Sequence, residues 1–205
     1  MTEMSKPDRA GLLTIQFIAL VLAAVALAAG AITAAAALTS EGFDMVLPAA
    51  ASLPSGVIGD PEATGVPRIL NGEFTAATTS VAGLSTGVRI LFAVGAGMGS
   101  LVFVALALSV AYLCWRPYNG NPFGTSVTRT SWFAAGTLTI GSLLSQGMLG
   151  FSTWLALDEL QLDPVQFPLE MHFDLLPIVA GFALLLVAGA FQFGERMQRD
   201  TEGLI

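Results

Sequence analysis

The sequence predicts an all-α membrane protein, a four-transmembrane-helix bundle with a small extracytoplasmic β-sheet cap. The first observation behind this prediction is composition. Of the 205 residues, 54% are hydrophobic and 11% are charged, whereas about 25% of an ordinary soluble domain is charged. The second is a set of four long apolar runs, and the third is the uneven charge of the segments that join them. This composition is typical of membrane proteins.

Four apolar runs predict four membrane-spanning helices. Each approaches or exceeds the roughly 20 residues that a helix needs to cross about 30 Å of hydrocarbon. Arg89, at the start of the second run, is the only Asp, Glu, Lys or Arg within them. The runs cover residues 11–38, 88–114, 132–156 and 175–193. The first is longer than the core of a cleaved signal peptide, about 7–15 residues, so we expect a retained anchor.

Charged residues predict the orientation, because Lys and Arg are concentrated in cytoplasmic segments. Six of the eight basic residues lie in segments 1–10, 115–131 and 194–205: Lys6, Arg9, Arg116, Arg129, Arg196 and Arg199. Segments 39–87 and 157–174 instead carry ten carboxylates: Glu41, Asp44, Asp60, Glu62, Glu73, Asp158, Glu159, Asp163, Glu170 and Asp174. We expect a multi-pass protein of a bacterial cytoplasmic membrane, with both ends in the cytoplasm and an acidic outer side.

The positions of two tryptophans support the prediction of a third membrane-spanning helix. Trp132 and Trp154 are 22 residues apart, which corresponds to about 33 Å along an α-helix. Because indole prefers the membrane–water interface, we expect one of them at each face of the bilayer.

The first outer segment predicts a β-hairpin. Its four prolines disfavour a long helix. Residues 66–70 and 73–77 flank Asn71-Gly72, and Asn-Gly favours the type I′ turn that joins two antiparallel strands.

The second outer segment predicts a further strand. Apolar residues alternate with mostly polar ones, as expected of a half-buried strand, at Val165, Phe167, Leu169, Met171, Phe173 and Leu175. Pro168 lacks an N–H and would confine the strand to an edge. We expect this strand and the hairpin to form one sheet over the outer ends of the helices.

Three residues of this strand suggest a metal site. Glu170, His172 and Asp174 alternate along the chain, so in a strand their side chains would project together and suit a divalent cation. The alternative interpretation is a solvated face, with Asp174 at a helix N-terminus where the helix dipole favours an acid.

The sequence lacks residues that several classes of protein function need. The predicted spans contain neutral polar groups but no Asp, Glu, Lys, Arg or His beyond Arg89, whereas ion-coupled transporters carry such groups within the membrane. No phosphate-binding loop or HExxH motif occurs, and a single histidine does not suit a Ser-His-Asp set. A net charge of −7 opposes direct nucleic-acid binding, which needs basic surfaces. We expect a non-enzymatic protein without a cofactor.

Small residues in the spans predict close helix packing. Helices associate in lipid through small residues, which allow the backbones to approach. Gly95 with Gly99, and Ala24 with Ala28, have the required four-residue spacing. They serve either packing within the bundle or a face that binds a partner.

Two short motifs carry a family resemblance. The segment Asn121-Pro122-Phe123 and the tail 194–205, with its acidic and basic residues and its terminal Gly-Leu-Ile, resemble the bacterial four-span family labelled domain of unknown function 2975. This chain departs from the family pattern after Phe123, with Val127 and Ser131 near Arg129.

The resemblance implies that this chain is a membrane protein that binds and restrains a DNA-binding regulator. The implied cytoplasmic contact surface comprises Asn121, Pro122, Phe123, Arg129, Arg196 and Arg199. Our leading hypothesis is an accessory or regulatory protein that contacts the lipid bilayer and either a protein partner or further copies of itself. The alternatives are a structural subunit of a larger transporter or respiratory complex, and an envelope sensor that uses the acidic outer cap.

Overall fold

A computed structural model describes residues 6–52, 72–118, 125–171 and 173–202. The chain is mostly helical and includes one two-stranded antiparallel sheet. In chain order the elements are α1 (Lys6–Thr39), β1 (Gly42–Ser52), β2 (Glu73–Ala82), α2 (Thr86–Tyr118), α3 (Thr125–Gly136), a π-helical segment (Thr137–Gly141), α4 (Ser142–Leu160) and α5 (Leu176–Glu202).

Three of the helices are long and apolar enough to cross a membrane. These candidate spans are Ala10–Thr39, Thr86–Arg116 and Leu176–Gly194. The predicted third run, 132–156, is not among the candidates found in the described residues. There the π segment divides the helix, and polar residues such as Ser145 and Gln146 lower the mean hydropathy of α4. The backbone nevertheless stays right-handed helical at Gly136, Gly141 and Ser142.

Helix α1 packs on α2 through a stripe of small residues. Ala19, Ala23, Gly30 and Ala37 are buried, at spacings that place them on one helix face. A Cβ built on Gly30 would lie 2.1 Å from Oγ of Ser100, so the α1 and α2 backbones approach closely at this point.

The sheet pairs β1 with β2 in an antiparallel register from Gly42↔Ala82 to Ser52↔Glu73, with an irregularity after Pro48. Phe43, Met45 and Leu47 are buried in the core at one end of the helices. Their alternation is a strand signal that the sequence interpretation missed. The described partner of residues 73–77 is therefore β1. The other half of the predicted hairpin, residues 66–70 with Asn71, lies outside the described residues.

The predicted strand over residues 165–175 is wrong, because the described residues of this segment form turns and irregular backbone. Asp163 organises its start: the carbonyl oxygen of Asp163 accepts hydrogen bonds from N–H of Gln166 and of Phe167. Pro168 then interrupts any ladder because it has no N–H. One bond reaches the sheet, from N–H of Ala50 to the carbonyl of Gln166, at 2.8 Å.

The helices pack in an order that leaves one side open. Helix α2 lies between α1 and α4, while α5 packs against α3 and the π segment. Within the described part of the chain, α2 and α5 do not pack against each other.

Candidate functional site

Arg89 joins the end of α1 to the start of α2. Its Nε donates to the carbonyl of Ala37 at 2.6 Å, and a terminal guanidinium nitrogen donates to the carbonyl of Ser40. The last carbonyls of a helix lack intrahelical partners, and a cation is favourable at this negative end of the helix dipole. The guanidinium also lies 6.0 Å from the ring centroid of Phe43. The single charged residue of the predicted spans thus makes a structural contact.

Glu159 joins the end of α4 to the start of α2. Its carboxylate accepts hydrogen bonds from N–H of Ser85 at 2.8 Å and from the Ser85 hydroxyl at 2.5 Å. These two bonds from Ser85 lower the pKa of Glu159, because they stabilise the charged form. Ser85 immediately precedes α2, so an acid at this helix N-terminus is also favoured by the dipole.

The predicted glycine pair lies at the contact of α2 with α4. A Cβ on Gly95 would lie 3.0 Å from the backbone nitrogen of Leu149, and one on Gly99 would lie 2.8 Å from Oγ of Ser145. The Ser145 hydroxyl donates to the carbonyl of Gly95 at 2.8 Å. Both glycines therefore serve packing within the chain, one of the two roles predicted for them.

The predicted alanine pair does not lie on the α1 face that packs against α2. Ala24 and Ala28 are exposed on α1, whereas the neighbouring Ala23 faces α2 and is buried. Packing within the described chain thus uses a different α1 face from the one predicted, because Ala23 is one residue, about 100° of helix rotation, from Ala24. A partner-binding role for Ala24 and Ala28 stays a prediction.

The π segment lies between α2 and α5 and touches both. A Cβ on Gly141 would lie 2.5 Å from Cγ2 of Val102 in α2. A Cβ on Gly181 of α5 would lie 2.1 Å from Oγ1 of Thr139 and 3.1 Å from its backbone nitrogen. Both neighbours approach to within contact distance because each of these positions lacks a side chain. Short π segments inside α-helices are frequent at functional sites.

A lateral groove lies between α2 and α5, with the π segment and α4 as its floor. Its volume is about 770 Å³. The wall from α2 includes Phe103 and Leu106, and the opposite wall includes Pro177 and Ala180. Leu138 and Ser142 lie on the floor. Phe103 is 66% exposed, which leaves much of its ring available to an occupant.

Two polar side chains along the groove, those of Gln146 and Ser145, are paired within the chain. The side-chain oxygen of Gln146 accepts a hydrogen bond from N–H of Asp174 at 2.6 Å, and its Nε2 donates to the carbonyl of Asp174 at 3.1 Å. Ser145 is bonded to Gly95. Most of the other lining residues are apolar, so the groove offers mainly apolar contact.

Of the three residues of the predicted metal site, the structure describes Glu170 and Asp174. Asp174 Oδ1 accepts a hydrogen bond from N–H of Leu176 at 2.9 Å, which places Asp174 at the N-terminus of α5, as in the alternative interpretation. Glu170 lines a separate cavity of about 420 Å³ with Thr75 and Thr153. His172 lies outside the described residues. In the part of the chain that the structure describes, no three metal-ligating side chains converge, and the metal site stays a prediction.

The predicted cytoplasmic surface is described only in part. Arg129 and Arg196 are exposed. Arg116 donates to Oγ of Ser126 and lies 5.9 Å from the ring centroid of Tyr112, so it joins α2 to α3. Asn121, Pro122 and Phe123, and the side chain of Arg199, lie outside the described residues.

Comparison with known proteins gives no relative from which to transfer a function. No family model, curated protein or solved structure matches the chain. The functional argument therefore starts from the groove, which the sequence interpretation missed. Gly141 and Gly181 permit the close helix contacts beside the groove. Neither belongs to a pair of glycines four residues apart, so the sequence pattern did not single them out.

Proposed function

We propose that the protein is a four-span protein of a bacterial cytoplasmic membrane, with both ends in the cytoplasm. In this arrangement the third span is residues 132–156, which lie within α3, the π segment and α4. Three observations support it: the chain stays helical through the π segment, this helix packs against both α2 and α5, and the basic residues are concentrated in the terminal and middle segments. The sheet would then lie on the extracytoplasmic side.

We further propose that it is non-enzymatic and acts as an accessory or regulatory protein that binds a partner inside the membrane. The observation that carries this proposal is the groove between α2 and α5, whose walls are mainly apolar. Helices in lipid associate through close packing, and α2 and α5 leave the floor of the groove uncovered. The proposed occupant is a transmembrane helix of another membrane protein.

The test is site-specific photo-crosslinking in intact cells. A benzophenone amino acid replaces Phe103 in the groove, and in a matched control it replaces Phe17 on α1. The two side chains are 66% and 68% exposed, so lipid contact alone affects them equally. We expect Phe103 to give a discrete cross-linked band, which mass spectrometry assigns to another membrane protein, and Phe17 to give none.

The alternative outcomes are distinct. A band that contains only this chain would replace the partner proposal with a homo-oligomer. Cross-linking to a soluble DNA-binding regulator would move the contact to the cytoplasmic surface that the family resemblance implies. Equal or absent bands at both positions would overturn the proposal.

A further inference from the structure

A second cavity, the α2–α3 hollow, lies between α2 and α3 and has a volume of about 580 Å³. Its α2 wall runs from Met98 to Tyr112, and its α3 wall includes Thr130 and Phe133. Val102 also lines the groove between α2 and α5, and no other residue of the hollow does. Helix α2 packs closely on α1 and α4 but only lightly on α3, which leaves this space open on another side of α2.

The hollow is about as long as one leaflet of a bilayer is thick. Met98 and Tyr112 are 14 residues apart, or about 21 Å along the helix, and one leaflet contributes about half of the 30 Å of hydrocarbon. The ring centroids of Tyr112 and Trp115 are 6.3 Å apart, and Trp132 precedes Phe133. Both tryptophans are exposed, as is typical of the membrane–water interface. In the proposed orientation the hollow therefore runs from the cytoplasmic interface towards the middle of the bilayer.

The interior of the hollow suits a hydrocarbon chain. The hydroxyl of Ser109 donates to the carbonyl of Ala105 at 2.7 Å, and the hydroxyl of Thr130 donates to the carbonyl of Ser126 at 2.9 Å. These two wall hydroxyls are therefore paired within their own helices. Most of the other lining residues are apolar.

Two arginines lie at the interfacial end of the hollow. The guanidinium of Arg116 lies 5.9 Å from the ring centroid of Tyr112 and donates to Oγ of Ser126 in α3. Arg129 follows Ser126 by three residues, a spacing that makes two residues neighbours on one helix surface. The side chain of Arg129 is exposed. Two positive charges thus flank the end of the hollow that the tryptophans place at the interface.

These charges lack counter-ions within the part of the chain that the structure describes. Neither Arg116 nor Arg129 is paired there with a carboxylate, and Nε of Arg116 is shielded from solvent without a hydrogen-bond partner among the described residues. An unpaired charged donor is unfavourable, and phosphate oxygens form strong charge-assisted hydrogen bonds with arginine. Basic pockets between helices on the cytoplasmic side of a membrane bind anionic lipid headgroups.

We infer that the α2–α3 hollow binds an anionic phospholipid of the cytoplasmic leaflet, with an acyl chain between the helices and the phosphate beside Arg116 and Arg129. A phospholipid matches both parts of the site, because it joins a hydrocarbon chain to a negative headgroup at the same depth. The inference rests on the proposed third span and orientation. It does not depend on the partner helix, which is proposed for a different face of α2.

Quenching of tryptophan fluorescence by brominated lipid tests the inference. The full chain keeps Trp115 alone, through Trp132→Phe and Trp154→Phe, and is reconstituted in phosphatidylcholine vesicles. Increasing fractions of phosphatidylglycerol or phosphatidylcholine brominated on the acyl chain are then added. A second variant keeps Trp154 alone as the reference, because the two indoles are similarly exposed, at 47% and 41%. A third variant keeps Trp132 alone and reports whether the third span enters the bilayer.

We expect brominated phosphatidylglycerol to quench Trp115 at a severalfold lower mole fraction than brominated phosphatidylcholine, and the two lipids to quench Trp154 equally. Arg129→Gln should remove most of this preference, since one basic residue near an anionic lipid contributes about fivefold, and Arg129→Lys should restore it. Ala105→Phe places a ring in the hollow and should reduce the preference as much, although both arginines remain. Val110→Phe, at an exposed position outside the hollow, should leave it unchanged.

Equal quenching of Trp115 by the two lipids, with Trp132 also quenched, would overturn the lipid site and leave the four-span proposal standing. A preference that survives Ala105→Phe would reflect general attraction of lipid to the arginines and would overturn the hollow as the site. A preference that survives Arg129→Gln, a change at an exposed position that the fold tolerates, would equally overturn it. If neither lipid quenches Trp132, the third span fails, and this inference fails with it.

Discussion

Replacement of Arg89 by methionine tests how the sheet side of the bundle is held together. The substitution keeps an unbranched side chain but removes the charge and both donors. The carbonyls of Ala37 and Ser40 then lose the guanidinium that pairs them. Because the carbonyls at the end of α1 have no intrahelical N–H partners, we expect the end of α1 to separate from α2.

The magnitude follows from the two hydrogen bonds. A bond to a charged group contributes about 1.5–3 kcal/mol. Arg89 is half-buried and water compensates part of the loss, so we expect the free energy of unfolding to fall by about 2–4 kcal/mol for the two bonds together. Arg89→Lys keeps the charge near the end of α1 but not the forked geometry, and we expect an intermediate loss.

The assay is equilibrium unfolding in mixed detergent micelles, followed by circular dichroism during titration with sodium dodecyl sulfate. Arg129→Met is the matched control, because Arg129 is exposed and surface substitutions usually change stability by no more than about 0.5 kcal/mol. If Arg89→Met and Arg129→Met unfold at the same detergent fraction, the proposed role of Arg89 is refuted.

Two further predictions concern the π segment and the acid at the start of α2. Gly181→Val should destabilise the protein by about 1–3 kcal/mol, as overpacking does, because a Cβ there meets the backbone of Thr139. The control is Gly189→Val, which has open space around it and should be neutral in the same titration. Equal losses of stability in the two variants would contradict the close contact at Gly181. The pKa of Glu159 is lowered in the folded protein, so its contact with Ser85 stabilises the fold fully at pH values above the ordinary glutamate pKa of about 4.3. This stabilisation is lost as the pH falls through the lower folded-state pKa. Glu159→Gln should flatten that part of the pH–stability curve, and an unchanged acid limb would reject the assignment.

The helices were predictable because long apolar runs dominate the sequence. Runs 11–38, 88–114 and 175–193 lie almost entirely within α1, α2 and α5, respectively. The helices extend beyond these runs, for example to Tyr118 and Glu202, because a helix continues into water where side chains and backbone permit it. Hydropathy detects the apolar part alone.

The groove was not predictable, because it depends on which helix faces meet. Gly141 and Gly181 are unremarkable in sequence, yet each permits a close approach between helices. The sequence also did not show which face of α1 is buried: Ala24 was predicted to pack, but the adjacent Ala23 is the buried residue. In the described residues of the segment 165–175, most of the alternating apolar side chains are exposed. Alternation in a sequence does not show whether the apolar side is buried in a strand or exposed on irregular backbone.

The packing order of the helices bears on how the chain assembles during synthesis. Helix α1 contacts α2 and the sheet, and α5 contacts chiefly α3 and the π segment. Each half of the chain therefore contains a helical hairpin whose two arms are neighbours in sequence. The first hairpin can form in the membrane before the second is translated, after which α2 docks on α4 through Gly95 and Gly99. Separate expression of the two halves in one cell should then reconstitute the bundle, since the docking surface lies between preformed hairpins.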